Sequence, residues 1–371
     1  MKYKINDFLV FTIFSLFIFN YKSLAQDQDS LKRPYEIGIE GQVGAVLKHT
    51  DKLDPIKTGT PYGFQLYYSR IANGTKPWHQ LFNYPTFGAS LSYMSLGNKS
   101  VLGDAVIGLA YMQFKVVSFK KSNLSWHFGT GLAYCNTVYD SETNPLNYAI
   151  STPVSYSMQS QLMYNHQVAE KVKLKLGIGI THISNGSIRK PNLGINIPTI
   201  NLAVFYNPVK GSRVYYKKLL EPYKKDWRLN IAYFASFSRL DTLSEVVYPA
   251  HVLSVYASKR INRLHSFLFG IEGIYDNSLK AEMEKQKHYG QHPIEKVERL
   301  LVTFGHELTI SRLALTSQMG IYIYKPFKTK SWAYQRFNLK YYLTKNLFIG
   351  SALRTHFATA DGLEFGFGVK L

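Results

Sequence analysis

Alternation of apolar and polar residues with period two is the feature that most constrains the fold of this chain. The alternation recurs from residue 35 to the C-terminus and breaks at charged, Gly, Pro or Asn clusters, as strands separated by turns do. About sixteen runs can be counted, namely 35–47, 61–70, 84–96, 105–119, 124–136, 154–168, 172–184, 198–207, 227–238, 249–260, 264–275, 300–312, 314–324, 332–343, 346–357 and 361–371. The pattern predicts an all-β chain of many short antiparallel strands.

The N-terminus predicts export. Lys2 and Lys4 precede an apolar stretch over residues 8–19, and small residues up to Ala25 precede a polar segment. The apolar stretch is shorter than the roughly 20 residues that a membrane-spanning helix needs. Residues 1–25 are therefore interpreted as a cleavable signal peptide, with the mature chain beginning near Gln26. An uncleaved N-terminal anchor is the alternative.

Composition indicates what surrounds the exported chain. Beyond residue 26 no stretch approaches the roughly 18 consecutive apolar residues of a helical span, so only a closed barrel could cross a bilayer. Aromatic residues make up 15% of the chain, including 28 Tyr and 23 Phe, which fits the aromatic girdles of such a barrel. The formal charge is +20, which favours lipid phosphates over nucleic acid as the partner of an exported barrel, although solvated basic loops would look the same. We therefore predict a transmembrane barrel in the outer membrane of a Gram-negative cell.

Connection lengths predict how the strands are threaded. Short connections follow even-numbered runs and most longer ones follow odd-numbered runs, which places both chain termini on the periplasmic side. The basic segment from Val209 to Asp226 is too long for a tight turn, and is either a periplasmic excursion or a boundary between two barrels. We favour one barrel of 14–16 strands, with an eight-stranded barrel plus a second β unit as the alternative. The expected parts are a barrel portion over 26–207, a basic connection over 208–226 and further strands over 227–371.

The seventh run carries the residues best suited to chemistry. Its even positions are apolar and would face lipid, and His182 and Ser184 continue that row. An imidazole and a hydroxyl gain nothing from facing acyl chains, so their placement indicates a function. His182 could deprotonate Ser184 and activate it as a nucleophile toward an ester. An odd-numbered run ends at the extracellular rim, so the ester would belong to a lipid of the outer leaflet.

Further residues near the end of this run complete the hypothesis. Asn196 has the matching parity just before the next strand and could orient His182, as the third member of a triad does. Asn185 could stabilise the oxyanion through its side-chain amide or backbone N–H. Arg189 and Lys190, in the adjoining loop, could bind lipid phosphates or be solvated loop charges.

The segment His182-Ile183-Ser184-Asn185-Gly186, followed by Pro191-Asn192-Leu193-Gly194-Ile195-Asn196, resembles the active-site segment of the PagL-type lipid A 3-O-deacylases. The resemblance implies an outer-membrane barrel that removes an ester-linked acyl chain from lipopolysaccharide. It also implies that the His is the base, the Ser is the nucleophile, the following Asn helps the oxyanion, and an acidic residue stands where this chain has Asn196. The resemblance spans at most residues 35–207, so the second half stays unassigned.

Other functions remain open at the level of sequence. The pattern His-x-Ser-Asn-Gly with a later Asn is also similar to outer membrane phospholipase A, and a porin or a structural barrel is a non-catalytic alternative. No nucleotide-binding glycine loop, zinc-ligand spacing or calcium-loop pattern occurs, so neither a metal nor another cofactor is expected. The oligomeric state, the calcium dependence and the acyl position that is cut are open.

Overall fold

The computed structural model describes residues 35–208, 220, 222–238, 246–288, 296–326, 331–356 and 359–371. The signal peptide predicted over residues 1–25 lies outside these residues, as does most of the basic connection. None of the helices in the described ranges is long and apolar enough to cross a membrane.

The described residues form sixteen strands, in the order of the sixteen predicted runs. The first eight are β1 (Tyr35–Gly44), β2 (Tyr62–Ile71), β3 (Thr86–Ser95), β4 (Asp104–Ser118), β5 (Ser122–Cys135), β6 (Val154–Ala169), β7 (Val172–Ser184) and β8 (Ile195–Tyr206). The second eight are β9 (Trp227–Ser238), β10 (Tyr248–Arg260), β11 (His265–Asp276), β12 (Arg299–Ile310), β13 (Leu313–Tyr324), β14 (Ala333–Tyr342), β15 (Leu347–His356) and β16 (Thr359–Lys370). A 3₁₀ turn (Asp51–Leu53) and the helices α1 (Pro77–Leu81) and α2 (Asn277–His288) lie in connections. The predicted all-β antiparallel class is confirmed.

The strands close into two barrels rather than one. Strand β8 returns to pair with β1, with Val204 opposite Ile39, and β16 pairs with β9, with Val369 opposite Ile231. The preference for a single barrel of 14–16 strands is therefore wrong, and the alternative of an eight-stranded barrel followed by a second β unit is correct. Of the two interpretations of the basic segment after β8, the boundary between two barrels is the correct one.

The outer faces of both barrels are apolar. On the first barrel the even positions of β7 and β8 point outward, and Ile178 and Ile200 are 62% and 60% exposed. On the second barrel Phe267 and Phe269 are each 61% exposed. Apolar side chains this exposed are stable against acyl chains, so each barrel presents the band expected of a transmembrane barrel.

The interiors of both barrels are filled by polar side chains. In the first barrel Gln42 and Gln161 each donate to Glu40 Oε1 at 2.8 Å. In the second barrel Lys340 Nζ lies 2.8 Å from Glu307 Oε2, and both side chains are buried. An eight-stranded barrel is just wide enough for its side chains to fill it. This packing argues against the porin alternative.

The rim of the first barrel at which β7 ends is built by four connections, over residues 45–61, 96–103, 136–153 and 185–194. Leu47 N–H donates to Asn196 O at 2.8 Å, and Gly194 N–H donates to Ala149 O at 3.0 Å. The same connections contribute Leu53 and Ile150 to a buried apolar cluster. The start of β8 and the connection before it are thus each hydrogen-bonded to a neighbouring loop.

Candidate active site

His182 and Asn196 are directly opposite each other on β7 and β8. Both have the even, outward parity of the apolar residues below them, as the alternation predicts. His182 Nδ1 lies 2.7 Å from Asn196 Oδ1. An amide oxygen only accepts hydrogen bonds, so this contact requires a proton on Nδ1 and leaves the lone pair of Nε2 free. That is the tautomer a general base needs.

Ser184 ends the same row, one outward position closer to the rim. Its Oγ accepts hydrogen bonds from Asn192 Nδ2 at 2.8 Å and from the backbone N–H of Gly186 at 3.2 Å. Ser184 and His182 both lie in the described part of the chain, and no hydrogen bond joins Ser184 Oγ to His182 there. Catalytic hydrogen bonds are often long in the absence of substrate, so this arrangement is compatible with His182 acting as the base for Ser184.

Gly194 packs closely against both His182 and Ser184. An ideal Cβ at this position would lie 2.9 Å from His182 Cε1 and 3.4 Å from Ser184 Cβ. The residue has φ +73°, in the left-handed region that favours glycine. Any side chain here would press on the imidazole, so the absence of a side chain is what leaves room for His182 beside Ser184.

Asn185 is buried and holds the loop together. Its backbone N–H donates to Asn192 Oδ1 at 3.1 Å. Its side-chain Nδ2 donates to Ser151 Oγ at 3.0 Å and to Arg189 O at 2.9 Å. Its donors therefore point away from Ser184 Oγ in this structure. The oxyanion role of Asn185 stays a prediction, and its observed contacts orient Asn192.

Three groups at the site were missed by sequence reasoning, namely Asn192, the N–H of Gly186 and His49. Asn192 and Gly186 lie inside the segment that carries the resemblance to the deacylases, so a signal for them existed. His49 had no sequence signal, because it reaches the site from the connection between β1 and β2. Its Nδ1 lies 3.3 Å from Asn196 Nδ2.

The two basic residues of the loop differ in their surroundings. Arg189 is half-buried, whereas Lys190 is exposed. Hydrogen bonds from Thr143 and Glu142 lower the pKa of the Asp140 carboxyl in a neighbouring loop, and the charge of Arg189 contributes a smaller lowering. The charge of Arg189 is thus partly balanced by Asp140.

The second barrel contacts the connection between β7 and β8 of the first. Ser187 Oγ donates to Ala360 O at 3.0 Å. A Cβ on Gly186 would lie 3.2 Å from the Cβ of Leu363, an outward-facing residue of β16. Gly186 carries one of the donors to Ser184, so the outer wall of the second barrel supports the loop that holds this donor.

Comparison with protein families decides the assignment. Residues 62–205 match the model for lipid A 3-O-deacylase (PagL). Residues 227–371 match the model for the C-terminal domain of acyloxyacyl hydrolase (PagL). The chain belongs to the PagL family. The resemblance seen in the sequence is confirmed, and the half that sequence analysis left unassigned has its own PagL domain model. A PagL protein is an outer-membrane hydrolase that acts on lipid A esters.

Other comparisons add little to this PagL assignment. No curated protein has a significant match to the chain. Among solved structures, the outer membrane protein Omp33 of Acinetobacter baumannii is 8% identical, with 91% of this chain and 98% of that chain covered and a TM-score of 0.18. A triple mutant of the Rhodopseudomonas blastica porin is 7% identical, with 91% and 99% covered and the same TM-score of 0.18. Scores this low carry no argument about the arrangement of the two barrels.

Within the described ranges no group of three or more His, Cys, Asp or Glu side chains is placed to hold a metal ion.

Proposed function

We propose that this protein removes an ester-linked acyl chain from lipid A with Ser184 as nucleophile, His182 as base and Asn196 as the residue that orients His182. The observation that carries the proposal is the 2.7 Å contact between His182 Nδ1 and Asn196 Oδ1 on the outward face of the barrel. It leaves Nε2 of His182 as the only ring nitrogen able to take the proton of Ser184. A Ser–His–Asn arrangement of this kind recurs on unrelated folds as a means of acyl transfer.

The proposed reaction has two stages. Ser184 Oγ attacks the ester carbonyl while His182 Nε2 takes its proton, and the resulting imidazolium returns that proton to the departing alcohol oxygen of lipid A. Water then attacks the acyl-serine with His182 again as base, which releases the fatty acid and restores Ser184. Asn196 Oδ1 accepts the Nδ1 hydrogen throughout.

The negative oxygen of each tetrahedral intermediate needs hydrogen-bond donors beside Ser184. Asn192 Nδ2 and the Gly186 N–H already point at Ser184 Oγ, at 2.8 and 3.2 Å. Both donors are in reach of an oxyanion formed next to that atom. Asn185 contributes by holding Asn192 and would act directly only after releasing one of its present acceptors.

The position of the site determines how the substrate arrives. Ser184 and His182 face outward at the rim, next to the apolar band that contacts acyl chains. An outer-leaflet lipid can therefore present its ester from the side while its phosphates meet the basic loop. Lys190, which is exposed, and Arg189 are the proposed phosphate contacts.

The second candidate function is phospholipase A activity. The observation that favours it is the amide at position 196, since the resemblance to the deacylases implies an acidic residue there and the phospholipase pattern has Asn. Both enzymes would share the same chemistry at Ser184 and differ in the lipid that is bound.

The test compares lipid A from cells with and without the protein by mass spectrometry, and then assays the purified protein on lipid A and on a phospholipid in the same detergent. Wild type should release one fatty acid from lipid A, and Ser184→Ala should release none. Ser160→Ala is the matched control, because Ser160 is another outward-facing serine of the same barrel. A fluorophosphonate probe should label the wild type and the Ser160 variant only. Full activity of Ser184→Ala on every ester would refute the triad, and preference for the phospholipid would put the second candidate first.

A further inference from the structure

The side-chain amide of Asn196 can face His182 in two different orientations, whereas the two oxygens of a carboxylate in its place would be equivalent. A carboxylate has two equivalent oxygens, so either can accept the Nδ1 hydrogen of His182. An amide has one oxygen and one NH₂ group of similar size. If the amide of Asn196 turns over, its NH₂ faces His182 and favours the tautomer with the proton on Nε2. In that tautomer His182 cannot accept the proton of Ser184.

His49 lies where it can set the orientation of this amide. Its Nε2 is 3.1 Å from Leu193 O, and its Nδ1 is 3.3 Å from Asn196 Nδ2. Nδ1 is also 3.4 Å from Leu47 O, which is the longest of the three contacts. A neutral imidazole carries one hydrogen, and the shortest contact places it on Nε2, toward Leu193 O. Nδ1 is then an acceptor and binds the NH₂ end of Asn196.

These contacts form a directed chain. His49 Nε2–H donates to Leu193 O, Asn196 Nδ2–H donates to His49 Nδ1, and His182 Nδ1–H donates to Asn196 Oδ1. The direction of each hydrogen bond fixes the direction of the next one, because each ring and amide group donates through one atom and accepts through another. Reversing the amide of Asn196 would place its oxygen against the Nδ1 lone pair of His49, so the reversed orientation loses the contact to His49 as long as His49 donates to Leu193 O.

We propose that His49 is a positioning residue that holds the amide of Asn196 in the orientation required for His182 to act as a base. The inference rests on the proposed Ser–His–Asn function. Within the described residues no hydrogen bond joins His49 to Ser184, and the proposed effect of His49 passes through the amide of Asn196. It is required because this chain has an amide at position 196.

The test is a double-mutant cycle on the full-length protein in detergent micelles with lipid A as substrate. His49→Ala should lower kcat about three- to tenfold, the factor attached to one ordinary hydrogen bond, with little change in KM. In the Asn196→Asp background, removal of His49 should change kcat less than twofold, because a carboxylate has no wrong orientation. Lys52→Ala, in the same connection and exposed, is the control and should match wild type.

A second measurement does not depend on activity. The ¹⁵N spectrum of histidine-labelled protein reports which ring nitrogen of His182 carries the hydrogen, after assignment with His182→Ala. Wild type should show the Nδ1–H form, and His49→Ala should show an increased Nε2–H form. The inference is overturned if His49→Ala leaves both kcat and this spectrum unchanged, or if it lowers kcat equally in the Asn and Asp backgrounds. Activity retained by Ser184→Ala would instead refute the triad itself, so the two failures are distinguishable.

Discussion

Replacement of Gly194 by Ala tests whether the space between His182 and Ser184 matters for catalysis. The backbone has φ +73°, which costs an L-residue about 1–2 kcal/mol. The added methyl would lie 2.9 Å from His182 Cε1, whereas carbon atoms in contact prefer about 3.5–4.0 Å. The imidazole must therefore move by more than about half an ångström. Since a misplacement of about 1 Å can cost a factor of about 10², kcat should fall between tenfold and a hundredfold.

The matched control for this change is Gly97→Ala. Gly97 also has positive φ, at +81°, and its Cβ would lie 2.8 Å from Gly59 O, in the loops at the same rim. Both variants carry backbone strain and a short contact, but only the Gly194 variant touches the imidazole. Both should be assayed for fatty-acid release from lipid A, and their folding compared by heat-modifiable migration on gels. Equal activity of the two variants would show that the packing of Gly194 against His182 has no catalytic role.

Three further changes should separate the parts of the site. Ser184→Ala and His182→Ala should each abolish ester hydrolysis while the heat-modifiable migration of the barrel stays intact. The double variant should lose little more activity than either single variant, because the two residues act as one unit. Additive losses in the purified protein would contradict this. Asn196→Ala should reduce the rate less than Ser184→Ala, and Asn196→Asp should keep or raise it, because a carboxylate stabilises the imidazolium more than an amide dipole does. Full activity of Asn196→Ala would show that Asn196 is only a structural residue of β8. Arg189→Glu with Lys190→Glu should weaken salt-dependent binding to lipopolysaccharide, and unchanged turnover at low salt would exclude phosphate contacts in this loop.

Strand positions were predictable from sequence, but barrel closure was not. Alternation depends only on which face of a strand meets lipid, so it reads the same in a barrel of eight or sixteen strands. Closure is decided by one pairing, between Ile39 on β1 and Val204 on β8, across most of the first half of the chain. The long connection before Trp227 was the only local sign that the chain divides into two barrels, and it could equally be interpreted as a periplasmic excursion of a single barrel.

The site was predictable to the extent that it follows strand parity. His182, Ser184 and Asn196 share an outward face because alternation continues to the ends of their strands, and cross-strand pairing brings the first and last together. The support given by His49 could not be predicted, because it depends on how a loop folds over the rim. The hydrogen bond from Asn192 to Ser184 could not be predicted either, because it depends on the backbone path from residue 185 to residue 194.

The outward position of Ser184 and His182 has a kinetic consequence. Both residues lie on the barrel wall, and the interior beneath them is packed with side chains. Encounters are therefore two-dimensional, and the effective substrate concentration is the mole fraction of lipid A in the surrounding leaflet or micelle. Diluting that surface with inert detergent should slow the enzyme even when the bulk amounts of enzyme and lipid A are unchanged. The released fatty acid also stays in the same surface, where it competes with fresh substrate for the wall of the barrel.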